Sequence, residues 1–144
     1  MNRQPVWWLV RHTENKPSAT FPLFKGTNFI GRAPVPSMPF YTLIDEDPYI
    51  SRIHAVIYVE NIDTLHLYIC DSDLDNGGKA SKNGTYINGH NSRIVKKIKI
   101  KENDTIQVGI TKLVLKYNAG NLEEIVNEVE QQNYVDTISM MLEK

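Results

Sequence analysis

The sequence predicts an all-β protein, an antiparallel β-sandwich carrying a C-terminal helical extension. Three observations carry this. Between residues 5 and 118, short runs rich in Val, Ile, Tyr, Phe and Trp recur with no amphipathic helix between them. Clusters of Gly, Pro, Asn and Asp separate the runs. After Tyr117 the period changes: Leu122, Ile125, Val126 and Val129 fall at i, i+3, i+4 and i+7, the stripe of an amphipathic helix. Short strands that follow one another directly close into a sandwich or barrel, because each half-apolar sheet face needs another to bury against.

In chain order the expected strands are "VWWLVRH", "FPLF", "NFIGR", "YTLI", "HAVIYVE", "LHLYICD", "TYI", "SRIVKKIKI", "TIQVG" and "KLVLKY". In His66-Leu67-Tyr68-Ile69 and from Lys112 to Lys116 an apolar residue returns at every second position, the period of a half-buried strand. "RAPVPSMP" holds three prolines and reads as a loop. "DSDLDNGGKAS" reads as a long polar surface loop. Asn83-Gly84 and Asn88-Gly89 each offer the pair of φ > 0 residues that a tight hairpin turn wants, and "KENDT" reads as a further hairpin loop. "NAGN" breaks the last strand. Asn121 is then the expected N-cap, with Glu123 and Glu124 in the favourable first turn. The stripe falters at Gln131 to Asn133 and resumes with Val135, Ile138, Met141 and Leu142. The expected organisation is one domain over 5–118 and an amphipathic extension over 119–144, which docks on the sandwich, pairs with another chain or leads to a longer protein.

Composition narrows the function. The chain has 144 residues, 41% hydrophobic and 23% charged, enough for one real core. A net charge of −1 argues against a broadly basic nucleic-acid binder. "RIVKKIKIK" (93–101) reads as a strand with a solvated basic face, weak nucleic-acid binding through it being the alternative. Cys70 is the single cysteine and lies in the apolar run "LHLYIC", so a core position fits it better than a nucleophile. "VWWLV" is far too short to span a membrane. Ser51 and His54 stand close together, but no G-x-S-x-G elbow and no G-x-x-x-x-G-K loop occurs. His12, His54, His66 and His90 show no metal-ligand spacing. No catalytic residue, metal or cofactor is expected.

Three loops remain. Arg32 follows Gly31 at the end of "NFIG", Ser51 and Arg52 precede "HAVIYVE", and Ser81, Lys82, Asn83 and Gly84 precede "TYI". Guanidiniums, an ammonium and hydroxyls gathered from separate loops at one end of a sandwich would suit a tetrahedral dianion. Each also has a plainer role, as a solvated charge, a local turn bond or a turn former. The case rests on their recurring together.

"GR" at 31–32, "SRIHA" at 51–55 and "NGTYING" at 83–89 resemble the signature of forkhead-associated (FHA) domains. The likeness spans about residues 5 to 118 and reaches "IKENDTIQVG", which is similar to the family's closing hairpin. FHA domains are β-sandwiches (FHA/SMAD-like) whose apical loops bind phosphothreonine peptides. The resemblance therefore implies a phosphothreonine-containing protein as partner. It assigns the phosphate to Arg32, Ser51, Arg52 and Lys82, the last standing where the family often has a hydroxyl residue. It assigns the peptide backbone to Asn83, flanking specificity to Tyr49, and structural support to Gly31, His54, Gly84 and Asn88. The family's loop before the serine is usually short, whereas "SDLDNGGKA" stands here between Asp71 and Ser81. "FPLFKGTNFIGR" and "YISRIHAVI" further resemble the N-terminal domains of DNA-damage mediators, implying a nuclear adaptor. A homodimer through the C-terminal extension is the alternative partner; neither a membrane nor direct nucleic-acid contact is expected.

Overall fold

The computed structural model describes residues 7–12, 17–32, 40–44, 46–60, 66–72, 74, 77–117 and 122–131. Among the described residues ten strands follow one another: β1 (Trp7–Arg11), β2 (Ala19–Leu23), β3 (Gly26–Gly31), β4 (Tyr41–Leu43), β5 (Ala55–Val59), β6 (Leu67–Asp71), β7 (Thr85–Ile87), β8 (Ile98–Ile100), β9 (Thr105–Val108) and β10 (Thr111–Tyr117). They form two five-stranded sheets, ordered β2-β1-β10-β9-β7 and β4-β3-β5-β6-β8. Every pairing is antiparallel except β3 with β4, which run parallel.

Strand alternation decides which side chains fill the space between the sheets. Trp7 and Leu9 of β1, Ile57 of β5, Ile69 of β6, Ile106 of β9 and Leu113 of β10 meet in one buried cluster. Each such side chain is worth about 1.5–3 kcal/mol when fully buried. Trp8 and Val10 point the other way, onto the outer face of the first sheet. There the helix α1 (122–131) lays down Leu122, Ile125, Val126 and Val129 against Trp8, Val10 and Val114. Polar bonds accompany the docking. Lys116 Nζ, buried beneath the helix, donates to Glu128 Oε2 at 2.7 Å and Asn103 Oδ1 at 2.7 Å, and Ser18 Oγ donates to Glu130 Oε1 at 2.9 Å. The solvent side of α1 presents Glu123, Glu124, Asn127, Glu128 and Gln131. Over 122–131 the extension thus docks on its own chain. The expected cap Asn121, the second apolar stripe beyond 131 and residues 33–39 of the proline-rich loop lie outside the described residues.

Four expectations about local structure need correction. "SRIVKKIKI" is a strand only at Ile98–Ile100: Ile94 leans on the core while Val95 is 75% exposed, so the alternation there does not mark a sheet. "KENDT" is not a hairpin loop, since β8 and β9 belong to opposite sheets. It is a tight corner, closed by Asp104 N–H to Lys101 O at 3.1 Å and Lys101 N–H to Asp104 Oδ2 at 2.8 Å. At Asn83-Gly84 only the glycine has positive φ, at 85°, and β7 pairs with β9 rather than with the strand before it. The two-residue hairpin turn lies instead at Gly109-Ile110, between β9 and β10, with Gly109 at φ 60°. Asn88-Gly89 has the expected pair of positive φ, 52° and 73°, with His90 N–H bonded to Ile87 O at 3.1 Å, but the strands on either side of this tight turn, β7 and β8, belong to opposite sheets and form no hairpin.

Candidate functional site

Three chain segments are laced together at one end of the sandwich. From the end of β3, Arg32 N–H donates to Ser51 O at 3.1 Å and Arg32 Nε donates to Ile50 O at 2.9 Å. From the segment before β7, Lys82 N–H donates to Ser51 Oγ at 3.2 Å and Asn83 Nδ2 to Tyr49 O at 2.8 Å. The segment before β5 is thus held on both sides. Gly31 makes the first approach possible: a Cβ there would overlap the Arg52 carbonyl and the Tyr41 hydroxyl that donates to it.

His54 is the brace between the segment before β5 and the segment before β7. It is fully buried; its Nδ1 accepts Ser51 N–H at 3.0 Å and its Nε2 lies 2.7 Å from Gly84 O. An acceptor at Nδ1 and a donor at Nε2 define the neutral ring with its proton on Nε2. Burial lowers its pKa from the ordinary 6.5, against the pull of the Gly84 carbonyl and Asp71. His54 has no nucleophile to serve: Ser51 offers it a backbone N–H, and the Ser51 hydroxyl accepts from Lys82 instead.

Beneath the surface lies a second set of residues that the sequence does not reveal as a unit. The buried Asp71 carboxylate accepts Ser81 N–H at 2.9 Å, Ser81 Oγ at 2.6 Å, Thr85 Oγ1 at 2.7 Å and Arg93 Nη2 at 3.0 Å. Burial opposes its ionised form, yet the bonds from Ser81, Thr85 and Arg93 outweigh that and hold its pKa below 3.8. Arg93 also donates to Ser81 O at 2.6 Å. Asp71 and Ser81 therefore meet across the insertion, which is pinched off at its base. Asp47, likewise buried, accepts Tyr49 N–H at 2.9 Å on Oδ1, and Ile110 N–H at 2.9 Å and Thr111 Oγ1 at 2.7 Å on Oδ2. Its bond two residues ahead is an Asx turn, for which "DPY" is the available sequence signal. Arg93 had no such signal, being absorbed into an apparent strand.

Of the sequence-predicted residues, Arg32, Arg52, Lys82, Asn83 and Tyr49 are exposed at this end, Ser51 is half-buried, and Gly31, His54 and Gly84 are buried supports. Asn88 stands apart: it accepts Thr105 N–H at 2.8 Å and donates to Asp104 at 3.0 Å, fastening the far end of β7 to the start of β9. Among the described residues no carboxylate pairs with Arg32, Arg52 or Lys82. Three exposed cations without acids, beside a serine hydroxyl, can give charge-assisted hydrogen bonds to an anion's oxygens.

The FHA domain family matches residues 28–109 of the chain. Among solved structures, the FHA domain of the CT664 protein from Chlamydia trachomatis is 27% identical, with a TM-score of 0.60, over 77% of this chain and 96% of that one. The Slr1951 protein from Synechocystis is 25% identical, with a TM-score of 0.56, over 79% and 97%. The MEK1 FHA domain in complex with a phosphothreonine peptide of HOP1 is 24% identical, with a TM-score of 0.53, over 80% and 99%, a likeness of fold alone. No curated protein matches the chain.

Proposed function

From the premise that the chain belongs to the FHA domain family, we propose that it is a phosphothreonine-peptide-binding interaction module rather than an enzyme. The observation that supports this most is the lacing of three loops that carry Arg32, Ser51, Arg52 and Lys82, the three cations meeting no acid among the described residues. A phosphothreonine brings roughly −1.5 to −2 charges and three strong acceptor oxygens. Arg32 and Arg52 supply donors in forks that match such oxygens, Ser51 its hydroxyl, and Lys82 a point charge in place of the family's usual hydroxyl. Asn83 bonds the peptide backbone beside the phosphothreonine, exchanging its present partner Tyr49 O or adding to it. Unphosphorylated threonine offers these cations nothing they lack in water.

The test is a calorimetric titration of phosphothreonine peptides. Arg32→Ala should weaken binding by on the order of 100-fold, the loss of a charge-assisted bidentate contact, with the thermal unfolding transition retained. Undiminished binding by that variant overturns the site assignment. The wider setting that we propose is a signalling adaptor that meets a phosphorylated partner protein. Its nuclear, damage-response form rests on the sequence resemblance alone and draws no support from the bacterial and other FHA neighbours. A homodimer is the lesser reading: α1 spends its apolar stripe on β1 and β10 and shows solvent a polar face.

A further inference from the structure

The outer face of the second sheet carries side chains that the candidate site does not use. Strand alternation sends Ile57 and Val59 of β5, and Leu67 and Ile69 of β6, into the core, so Tyr58 and Tyr68 face outward. The register aligns Thr27, Tyr58, Tyr68 and Lys99 in one rung across β3, β5, β6 and β8. Lys97 leans over both rings, its Nζ 4.6 Å from the Tyr58 centroid and 5.2 Å from that of Tyr68. On its other side Tyr58 borders an open pocket of about 270 Å³, lined also by Lys25, Gly26, Thr27, Val59 and Glu60.

The stretch 93–101 holds four lysines and no aromatic residue. The fold supplies the rings from two other strands. Lys97 is shared with Glu60 at 3.7 Å. Lys96, Lys99 and Lys101 are exposed and pair with no carboxylate among the described residues. Lys97, Lys99 and Lys101 recur at every second position, about 6.7 Å apart along an extended chain. That interval is close to the one between phosphates of an extended single-stranded nucleic acid. A basic track beside aromatic rings is the combination such a strand needs, charge for its backbone and flat faces for its bases. A duplex keeps its base faces hidden, and an acidic peptide would leave the rings and the pocket idle. Val95, 75% exposed, is a lone apolar tip and gives a membrane too little to hold. The net charge of −1 confines the attraction to this face.

We propose that the outer face of β3, β5, β6 and β8 binds single-stranded nucleic acid. Tyr58 and Tyr68 stack on bases, Lys97, Lys99 and Lys101 hold phosphates, and the pocket beside Tyr58 takes a base at the end of the stretch. On binding, Lys97 exchanges Glu60 for a phosphate. The platform is separate from the laced loops: β5 leaves His54 at Ala55, and Tyr58 lies towards the other end of the strand. It therefore stands or falls independently of the phosphopeptide reading.

The experiment follows the fluorescence anisotropy of a labelled oligothymidylate titrated with the full chain, from about 50 to 200 mM salt. Log affinity should fall with log salt at a slope of about −2 to −3, the release expected from three or four contacted phosphates of a single strand. Lys99→Gln with Lys101→Gln should flatten that slope by about 1.4. Tyr68→Leu should weaken binding at least about 5-fold and leave the slope alone, since it removes a stacking face and no charge. Lys112→Gln, an exposed lysine on the other sheet, should change neither. The lysines are exposed, so their variants keep the fold, and a thermal melt checks Tyr68→Leu. No binding at the lowest salt, an unchanged slope in the double lysine variant, or a duplex bound as tightly as the single strand overturns the platform. So does tighter binding of phosphatidylserine vesicles or polyglutamate than of the oligonucleotide. A loss confined to Arg32→Ala would move the nucleic acid to the laced loops and overturn it as well.

Discussion

Replacing Asp71 by alanine tests whether the layer beneath the loops holds them in place. The carboxylate accepts four bonds in the interior, from Ser81 N–H, Ser81 Oγ, Thr85 Oγ1 and Arg93 Nη2. Asp71→Ala removes all four acceptor contacts at once and leaves buried donors facing a small void. An uncompensated buried donor costs about 1–3 kcal/mol, and breaking a buried ion pair from one side costs about 3–5 kcal/mol. The costs overlap, because Arg93 is one-third exposed and can turn to water, so about 3–5 kcal/mol in total is expected. At roughly 3–4 °C per kcal/mol for a chain of this size, Tm should drop by about 10–20 °C. Urea unfolding with the slope m unchanged would show that stability rather than the denatured state has moved. Arg93→Ala should cost less, since Asp71 keeps three bonds. A loss under about 1 kcal/mol in Asp71→Ala would refute the reasoning, because the acceptor would then have been dispensable.

Stability should also depend on pH in two windows. His54 and Asp71 both have lowered pKa values in the folded state, from 6.5 and 3.8 respectively. As pH falls the unfolded chain binds each proton first, so stability declines below about 6.5 and again below about 3.8. Chemical denaturation from pH 8 to pH 3 reads the slope, and a native chain equally stable at pH 7 and pH 5 contradicts the account of His54. Ending the chain at Tyr117 should expose Trp8, Val10 and Val114, and lower stability by about 2–4 kcal/mol. Sedimentation should give the same molecular state with and without the extension, and equal denaturation midpoints would show that α1 adds nothing. Phosphopeptide affinity should change less than about 3-fold on that truncation, because α1 lies on the outer face of the first sheet.

The positions of the strands were legible because turn chemistry and alternation are local. Trp7–Arg11, Ala55–Val59 and Leu67–Asp71 fall within runs that period and composition mark without help. Pairing was not legible in the same way. "IKI", "KENDT" and "TIQV" look like a hairpin, yet β8 faces β6 and β9 faces β10, because which core faces meet is settled by residues far apart in the chain. The alternation in "RIVKKIKI" likewise misled: Ile94 finds the core without a strand, once its N–H is taken by Thr85 O at 2.9 Å.

The same division runs through the candidate site. Arg32, Ser51, Arg52, Lys82 and Asn83 were readable because surface chemistry constrains residue type directly, and few side chains offer forks, hydroxyls and amides. The residues that aim them were not, because their identity matters only in combination. Asp71 reaches Ser81 over 10 positions, Thr85 over 14 and Arg93 over 22. No short window contains that set, and each member alone looks like a loop acid, a strand threonine or a solvated cation. Yet the exposed cations depend on it. Lys82 and Asn83 sit between Ser81, which Asp71 pins, and Gly84, whose N–H is held by Ser81 Oγ at 3.0 Å and whose carbonyl is held by His54. If Ser81 drifts, the bonds from Lys82 N–H to Ser51 and from Asn83 to Tyr49 drift with it. A variant of Asp71 or Arg93 that remains folded should therefore lose affinity without having lost any group that touches the ligand.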